Sequence, residues 1–167
     1  MLGVAYDRLI IGDATAIGPV PDWPLLRTEA QQLELALPGD TPLPGCDWVL
    51  RAVILDRAAL PEGWAASAGP WQAFFDARLC GRPLVLRRRR PGDRFQPQGL
   101  NGHSVKVADF YTNRKVPSHL RGQLPLLADP ERILWVCGWR LDERVLVGEL
   151  TKEVLALSFV RTAPTAE

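Results

Sequence analysis

The chain is poor in the residues that build most catalytic centres. It has two histidines, His103 and His119, and three cysteines, Cys46, Cys80 and Cys137, which stand far apart with no C-x-x-C pair. That count and spacing exclude a zinc ribbon or finger and supply no disulfide framework, so the thiols read as structural. Neither histidine has a serine or cysteine nucleophile at a telling spacing, which removes triad chemistry. A G-x-x-x-x-G-K-[ST] loop, the usual backbone cradle for a triphosphate, is missing. No apolar run approaches the ~20 residues of a membrane-spanning helix. The first residues lack the basic, apolar, then small-residue order of a secretory signal. The expectation is a cytoplasmic chain with no membrane partner and with no metal or cofactor site of its own.

What is present is dense punctuation. Fifteen prolines and fourteen glycines among 167 residues break the sequence into short elements, which favours strands over long helices. Tyr6 to Ile11 reads as a strand and residues 12–30 as irregular chain. Gln32 to Leu37 reads as a strand with Leu33, Leu35 and Leu37 on one face. Pro38-Gly39-Asp40 marks a turn, Trp48 to Leu55 a further strand, and residues 58–70 a loop or linker. Trp71 to Asp76, Leu84 to Arg90, Leu126 to Ala128, Ile133 to Val136, Glu143 to Val147 and Val154 to Val160 complete the strands. Val105 to Asn113 fits either a strand or an amphipathic helix. A helix over Ala108 to Asn113 is favoured, and Ser118 is expected to cap a brief helix at His119 to Gln123. The fold class is β-dominated α+β, with a linker-like β-containing segment over 1–70 and a domain over 71–162. Trp48, Trp71, Trp135 and Phe110 are expected in the core, Tyr111 partly exposed, and the neighbours Asp142 and Glu143 on the surface.

Charge is segregated. Residues 84–121 hold nine cations (Arg87, Arg88, Arg89, Arg90, Arg94, Lys106, Arg114, Lys115 and Arg121) against Asp93 and Asp109, a balance of +7. The remainder of the chain holds eleven cations and seventeen carboxylates, a balance of −6. Such a division is the footprint of a polyanion-binding face on an otherwise solvated body, unless the arginines pair with carboxylates brought in by the fold.

The strongest chemical signal is Arg-Arg-Pro-Gly-Asp-Arg at 89–94. Period-two geometry before it sends Leu84, Leu86, Arg88 and Arg90 to one face and Val85, Arg87 and Arg89 to the other. Pro91 fixes φ, Gly92 permits a tight turn, and the Asp93 carboxylate can close it. Arg94 is then held in one direction, and a guanidinium held in place loses less entropy on meeting a phosphate. Lys106, Arg114, Lys115 and Arg121 form a second cationic set, with Phe110 and Tyr111 between them.

Arg89 to Phe95 (RRPGDRF) and Lys106 to Pro117 (K-x-x-D-F-[FY]-x-x-[RK]-K-[VI]-P) resemble the C-terminal region of bacterial tRNA(Ile)-lysidine synthetases. Phe75-Asp76-Ala77, Leu124-Pro125-Leu126-Leu127 and Ile133 to Arg144 follow the family's order and spacing. The match is specific from Phe74 to Val160. Tyr6 to Ile11 and Glu34 to Gly39 resemble, more weakly, the linker ahead of that region. Val105 and Ala108 stand where relatives commonly place further lysines, so the patch here is thinner.

The resemblance implies a layered β-sandwich-like domain related to one in the phenylalanyl-tRNA synthetase β subunit. It also implies an intact ligase that adenylates the wobble cytidine of an isoleucine tRNA with ATP and Mg²⁺, then lets lysine displace AMP. That chemistry belongs to an N-terminal S-G-G-x-D-S loop, absent from this sequence, so a catalytic domain or subunit is the expected partner. The chain reads as an excised piece of such a protein or as a separate gene product. On this reading Arg87, Arg89, Arg90 and Arg94 contact phosphates of the tRNA acceptor arm, and Lys106, Arg114 and Lys115 extend the grip. The rival is a docking or scaffold module whose arginines are bonded to carboxylates, working on a catalytic subunit or a second copy of itself.

Overall fold

A computed structural model describes residues 22–27 and 32–162. In chain order the strands and helices are β1 (Leu33–Glu34), β2 (Gly39–Pro42), β3 (Trp48–Asp56), α1 (Trp64–Ser67), β4 (Gln72–Asp76), β5 (Val85–Arg87) and β6 (Arg94–Phe95). There follow β7 (Val105–Lys106), α2 (Val107–Asn113), α3 (Ser118–Arg121), β8 (Leu126–Ala128), β9 (Ile133–Val136), β10 (Arg140–Leu141) and β11 (Glu153–Arg161). The expected strand at Tyr6 to Ile11 lies outside the described residues.

The strands form a four-stranded sheet of order β2-β3-β11-β4, a five-stranded sheet of order β1-β5-β8-β9-β10, and the ribbon β6-β7. Every strand pair is antiparallel. Register carries the packing from strand to strand. On the first sheet Leu50 lies opposite Phe159, Ala52 opposite Leu157, and Leu157 opposite Ala73. On the second, Leu33, Leu86, Leu127 and Trp135 form one row across four strands. These rows meet in one core that includes Phe75, Leu86, Trp135, Leu155 and Phe159. Each fully buried Leu or Phe there contributes about 1.5–3 kcal/mol.

The five-stranded sheet is covered on its other face as well. Leu126, Ile133 and Val136 pack with Phe95, Val107, Phe110, Tyr111 and Leu120 in a second core. Burial on both faces explains why β8 and β9 are uninterrupted apolar runs with every residue buried. The result is a layered, β-dominated fold of two sheets and an outer layer of short helices with the β6–β7 ribbon. The boundary expected near residue 70 falls in the connection between β3 and β4, two members of one sheet.

Several local expectations are corrected. Residues 143–145 form a 3-10 turn whose preceding residue, Asp142, accepts from the Arg144 amide, so the expected strand at Glu143 to Val147 does not form. Ser118 is the first residue of α3 and makes no capping bond; Pro117 precedes the helix. Trp135 is buried, but Trp48 and Trp71 are half-buried. Tyr111 and Asp142, both expected at least partly exposed, have no accessible surface.

Gly138 shows what the β9–β10 turn demands. Its φ is +90°, and a Cβ there would stand 2.5 Å from the Trp71 ring. Only glycine meets both conditions, and this places β10, with Arg140, alongside β9.

Candidate nucleic-acid interface

The basic turn forms as its residue types dictate. Arg90 to Asp93 is a tight turn with proline second and Gly92 third at φ +87°, the arrangement of a type II turn. The Asp93 carboxylate accepts the Arg90 amide at 2.6 Å and grips the Arg87 guanidinium through two bonds of 2.8 and 3.1 Å. That two-point ion pair is largely closed to water, each side chain being 12% exposed. Arg87 was expected to meet a phosphate; here its guanidinium is engaged by Asp93, six residues on, and sets the shape of the turn.

The neighbouring arginines divide in the same manner. Arg88 donates twice to the Leu26 carbonyl, at 2.9 and 2.6 Å, and fastens that segment to the sheet. Arg89 is half-buried, and its Nε has no partner. Its cation acts on Tyr111, whose buried hydroxyl is also unpartnered. Burial, the largest influence, pushes the Tyr111 hydroxyl pKa well above its ordinary value. Arg90 is exposed and bonds the neutral Gln32 side chain at 2.8 Å.

Arg94 and Lys106 open the ribbon. They are register partners on β6 and β7, so both side chains leave the same face, and both are exposed. Arg94 Nε and Nη2 donate to Ser104 Oγ and O at 3.1 Å each, which aims the guanidinium without neutralising it. Phe95 and Val105 occupy the opposite face and anchor the ribbon in the second core. A groove of about 580 Å³ beside this turn is lined by Arg90, Arg94 and Arg132. Three carboxylates line it: Asp93, engaged as above; Asp129, engaged by the amides of Gly81, Glu131 and Arg132 and paired with the Arg132 guanidinium at 3.7 Å; and Glu131, on the Arg132 side of the groove.

Arg114 and Lys115 end α2. The Arg114 guanidinium lies 5.2 Å from the centre of the Phe110 ring. Lys115 has φ +57°, with its amide bonded to Thr112 O and the Val116 amide to Tyr111 O. That is a Schellman cap with lysine at the position where glycine is usual. Among the described residues Arg90, Arg94, Lys106, Arg114 and Lys115 make no ion pair, whereas Arg87 does.

Asp142 ties the ribbon to the sheet. Its carboxylate accepts from the Gln96 amide at 2.9 Å, the Arg144 amide at 2.9 Å and the Arg144 guanidinium at 2.9 and 2.8 Å. Burial alone would raise its pKa; the bonds from Arg144 and Gln96 outweigh burial and hold it below the ordinary carboxylate range. Arg132, absent from the sequence-derived set and paired with Asp129, borders the groove beside the turn, whereas Arg140, likewise absent from that set, borders a separate concavity beside α2. Arg140 follows Trp139 directly, and an apolar strand ending in a glycine turn was the available signal for it. Two of the three thiols are buried: Cys80 is pushed up to about 12, chiefly by desolvation, and burial raises Cys137 well above its ordinary value. No group of three or more potential metal ligands occurs among the described residues.

The family model described as the TilS substrate C-terminal domain matches residues 84–156, which hold the turn, the ribbon, α2 and β8 to β10. Residues 84–156 belong to that domain family. A tRNA(Ile)-lysidine synthase of Dehalococcoides mccartyi strain CBDB1 is 34% identical over 112 residues, covering 67% of this chain and 23% of the relative. The chain spans about a quarter of the length of the curated relatives it matches. A crystal structure of a TilS C-terminal domain superposes with TM-score 0.65 at 24% identity, covering 80% of this chain and 98% of that one. An N-terminal fragment of the phenylalanyl-tRNA synthetase β subunit from Pyrococcus horikoshii aligns at TM-score 0.46 and 21% identity, over 53% of this chain and 27% of that one. The TilS C-terminal fold is therefore the frame on which the exposed cations are held.

Proposed function

We propose that this chain holds tRNA for a tRNA(Ile)-lysidine synthase, gripping the acceptor arm of an isoleucine tRNA with the surface around the β6–β7 ribbon. The observation that carries the reading is the state of the cations. Arg90, Arg94, Lys106, Arg114 and Lys115 are exposed and, among the described residues, free of carboxylates, in a chain whose formal charge is only +1. Arg87 and Asp93 build the turn, and Arg89 lies half-buried behind it. Phosphate contacts of this kind fix the position of an RNA; its sequence is read elsewhere, by base edges and helix shape. Adenylation with ATP and Mg²⁺, followed by lysine transfer, then falls to a separate catalytic domain or subunit in the cytoplasm. The docking-module alternative is less favoured, because it requires the exposed cations to be paired.

Hydroxyl-radical footprinting of unmodified isoleucine tRNA with the full chain tests the reading. Protection concentrated on the acceptor arm is expected. Protection spread evenly over the tRNA, or none at low salt, would shift the reading to docking.

A further inference from the structure

A second concavity lies on the other side of the ribbon from the Arg94–Lys106 face. It has a volume of about 360 Å³ and is lined by Leu100, Val105, Phe110, Asn113, Arg114 and Arg140 among others. Leu100 is 41% exposed there, an uncovered apolar side chain at the mouth of a basic site. Arg114 and Arg140 border it with no carboxylate partner among the described residues. Arg140 is fixed by a bond of 2.9 Å from Nη1 to the Gln98 carbonyl. Its pKa is lowered, first by burial and then by the like charge of Arg114, so the two cations repel across the pocket.

Such a site favours a ligand with two properties. Its negative charge must fall between two guanidinium groups, and a flat apolar body must cover Leu100 and Val105. Phe110 backs one side of the Arg114 guanidinium, leaving the other for a stacked ring. An unpaired nucleotide has both: a phosphate for the arginines, a base for the apolar floor, and base-edge groups within the chemistry of the Asn113 amide. A base paired inside a duplex is stacked on its neighbours and has no free face to offer.

We propose that the Arg114–Arg140 pocket takes one unpaired nucleotide of a bound RNA, adjoining the duplex held at the Arg94–Lys106 face. The proposal rests on the tRNA-holding reading and gives it a structural preference, duplex next to single strand. A free mononucleotide shares the same chemistry, so the test includes both sources.

The full chain is titrated against three probes: a blunt RNA hairpin, the same hairpin ending in an unpaired tail, and adenosine monophosphate. Three variants accompany it, Arg140→Gln, Leu100→Ser and Lys106→Gln. The tailed hairpin is expected to bind about tenfold more tightly than the blunt one, the size of one base stack. Arg140→Gln and Leu100→Ser should each erase that advantage and leave blunt-hairpin binding unchanged, while Lys106→Gln weakens both hairpins alike. Equal binding of both hairpins, with sensitivity only to Lys106→Gln, would overturn the pocket and leave the tRNA-holding reading standing. Adenosine monophosphate displacing the tail at equal concentration would overturn the RNA strand as the occupant. No binding of either hairpin at low salt would overturn both readings together.

Discussion

Arg94 and Lys106 face each other as register partners across a two-residue ribbon, two exposed cations on one surface without a carboxylate between them. Cβ atoms of directly opposite residues are about 5 Å apart, so their charges repel in the free protein. An anion lying across the pair relieves that repulsion. Replacement of Lys106 by glutamine is therefore expected to leave the melting temperature unchanged or raise it, while RNA binding weakens. The slope of log affinity against log salt should fall by about one, the signature of one lost phosphate contact. Calorimetry beside a salt titration checks both halves.

Lys115 makes a similar statement through its backbone. It holds φ +57° in a Schellman cap, where a residue with a side chain costs about 1 kcal/mol relative to glycine. Lys115→Gly should raise unfolding free energy by roughly that amount and at the same time weaken tRNA binding. A variant that gains stability and keeps full affinity would remove Lys115 from the interface.

Arg87 should behave in the opposite sense. Its guanidinium is bonded twice to Asp93, and neither side chain is more than 12% exposed. Arg87→Ala is expected to cost about 2 kcal/mol in denaturant unfolding, because it leaves a carboxylate stripped of water and of its cation. With the turn retained at low temperature, the salt slope for RNA should stay near that of the parent chain.

Asp142 supplies the pH dependence. Its carboxyl is buried, yet bonds from Arg144 and Gln96 keep its pKa below the unfolded value of about 3.9. The folded state then binds that proton less readily than the unfolded chain does. The stabilisation is fully present above about pH 4 and is lost as pH falls through the lowered folded pKa. Asp142→Ala should cost about 3 kcal/mol at neutral pH, and Asp142→Asn should flatten the acid side of the stability profile. A profile identical to that of the parent chain would contradict the assignment.

The strands were legible where one face is apolar and the other is not. Leu33, Leu35 and Leu37 alternate in the sequence, and in the fold Leu35 is buried with the other two half-buried, although hydrogen bonding defines only Leu33–Glu34 as strand. Trp48–Asp56 was read to within one residue, since its nine residues carry their own period. Glu143 to Val147 misled because Val145 and Val147 alternate as a strand would, while Asp142 captures the Arg144 amide and turns the chain. The basic turn was legible from Pro91, Gly92 and Asp93, which act within four residues. The capture of Arg87 by Asp93 is made across that same turn, whereas the bond from Arg88 to Leu26 and the burial of Asp142 against Gln96 are products of tertiary proximity. Local pattern carries no trace of these two, and it gave Asp93 as closing the turn without its bond to the Arg87 guanidinium.

The most direct test of the tRNA grip is the association constant for unmodified isoleucine tRNA, measured from low to physiological salt for the chain and for the Arg94→Gln/Lys106→Gln variant. A linear log–log dependence is predicted, with the variant's slope shallower by about 1.5–2. Coincident slopes for the two proteins, or an affinity that does not change with salt, would contradict the ribbon as the tRNA-holding surface.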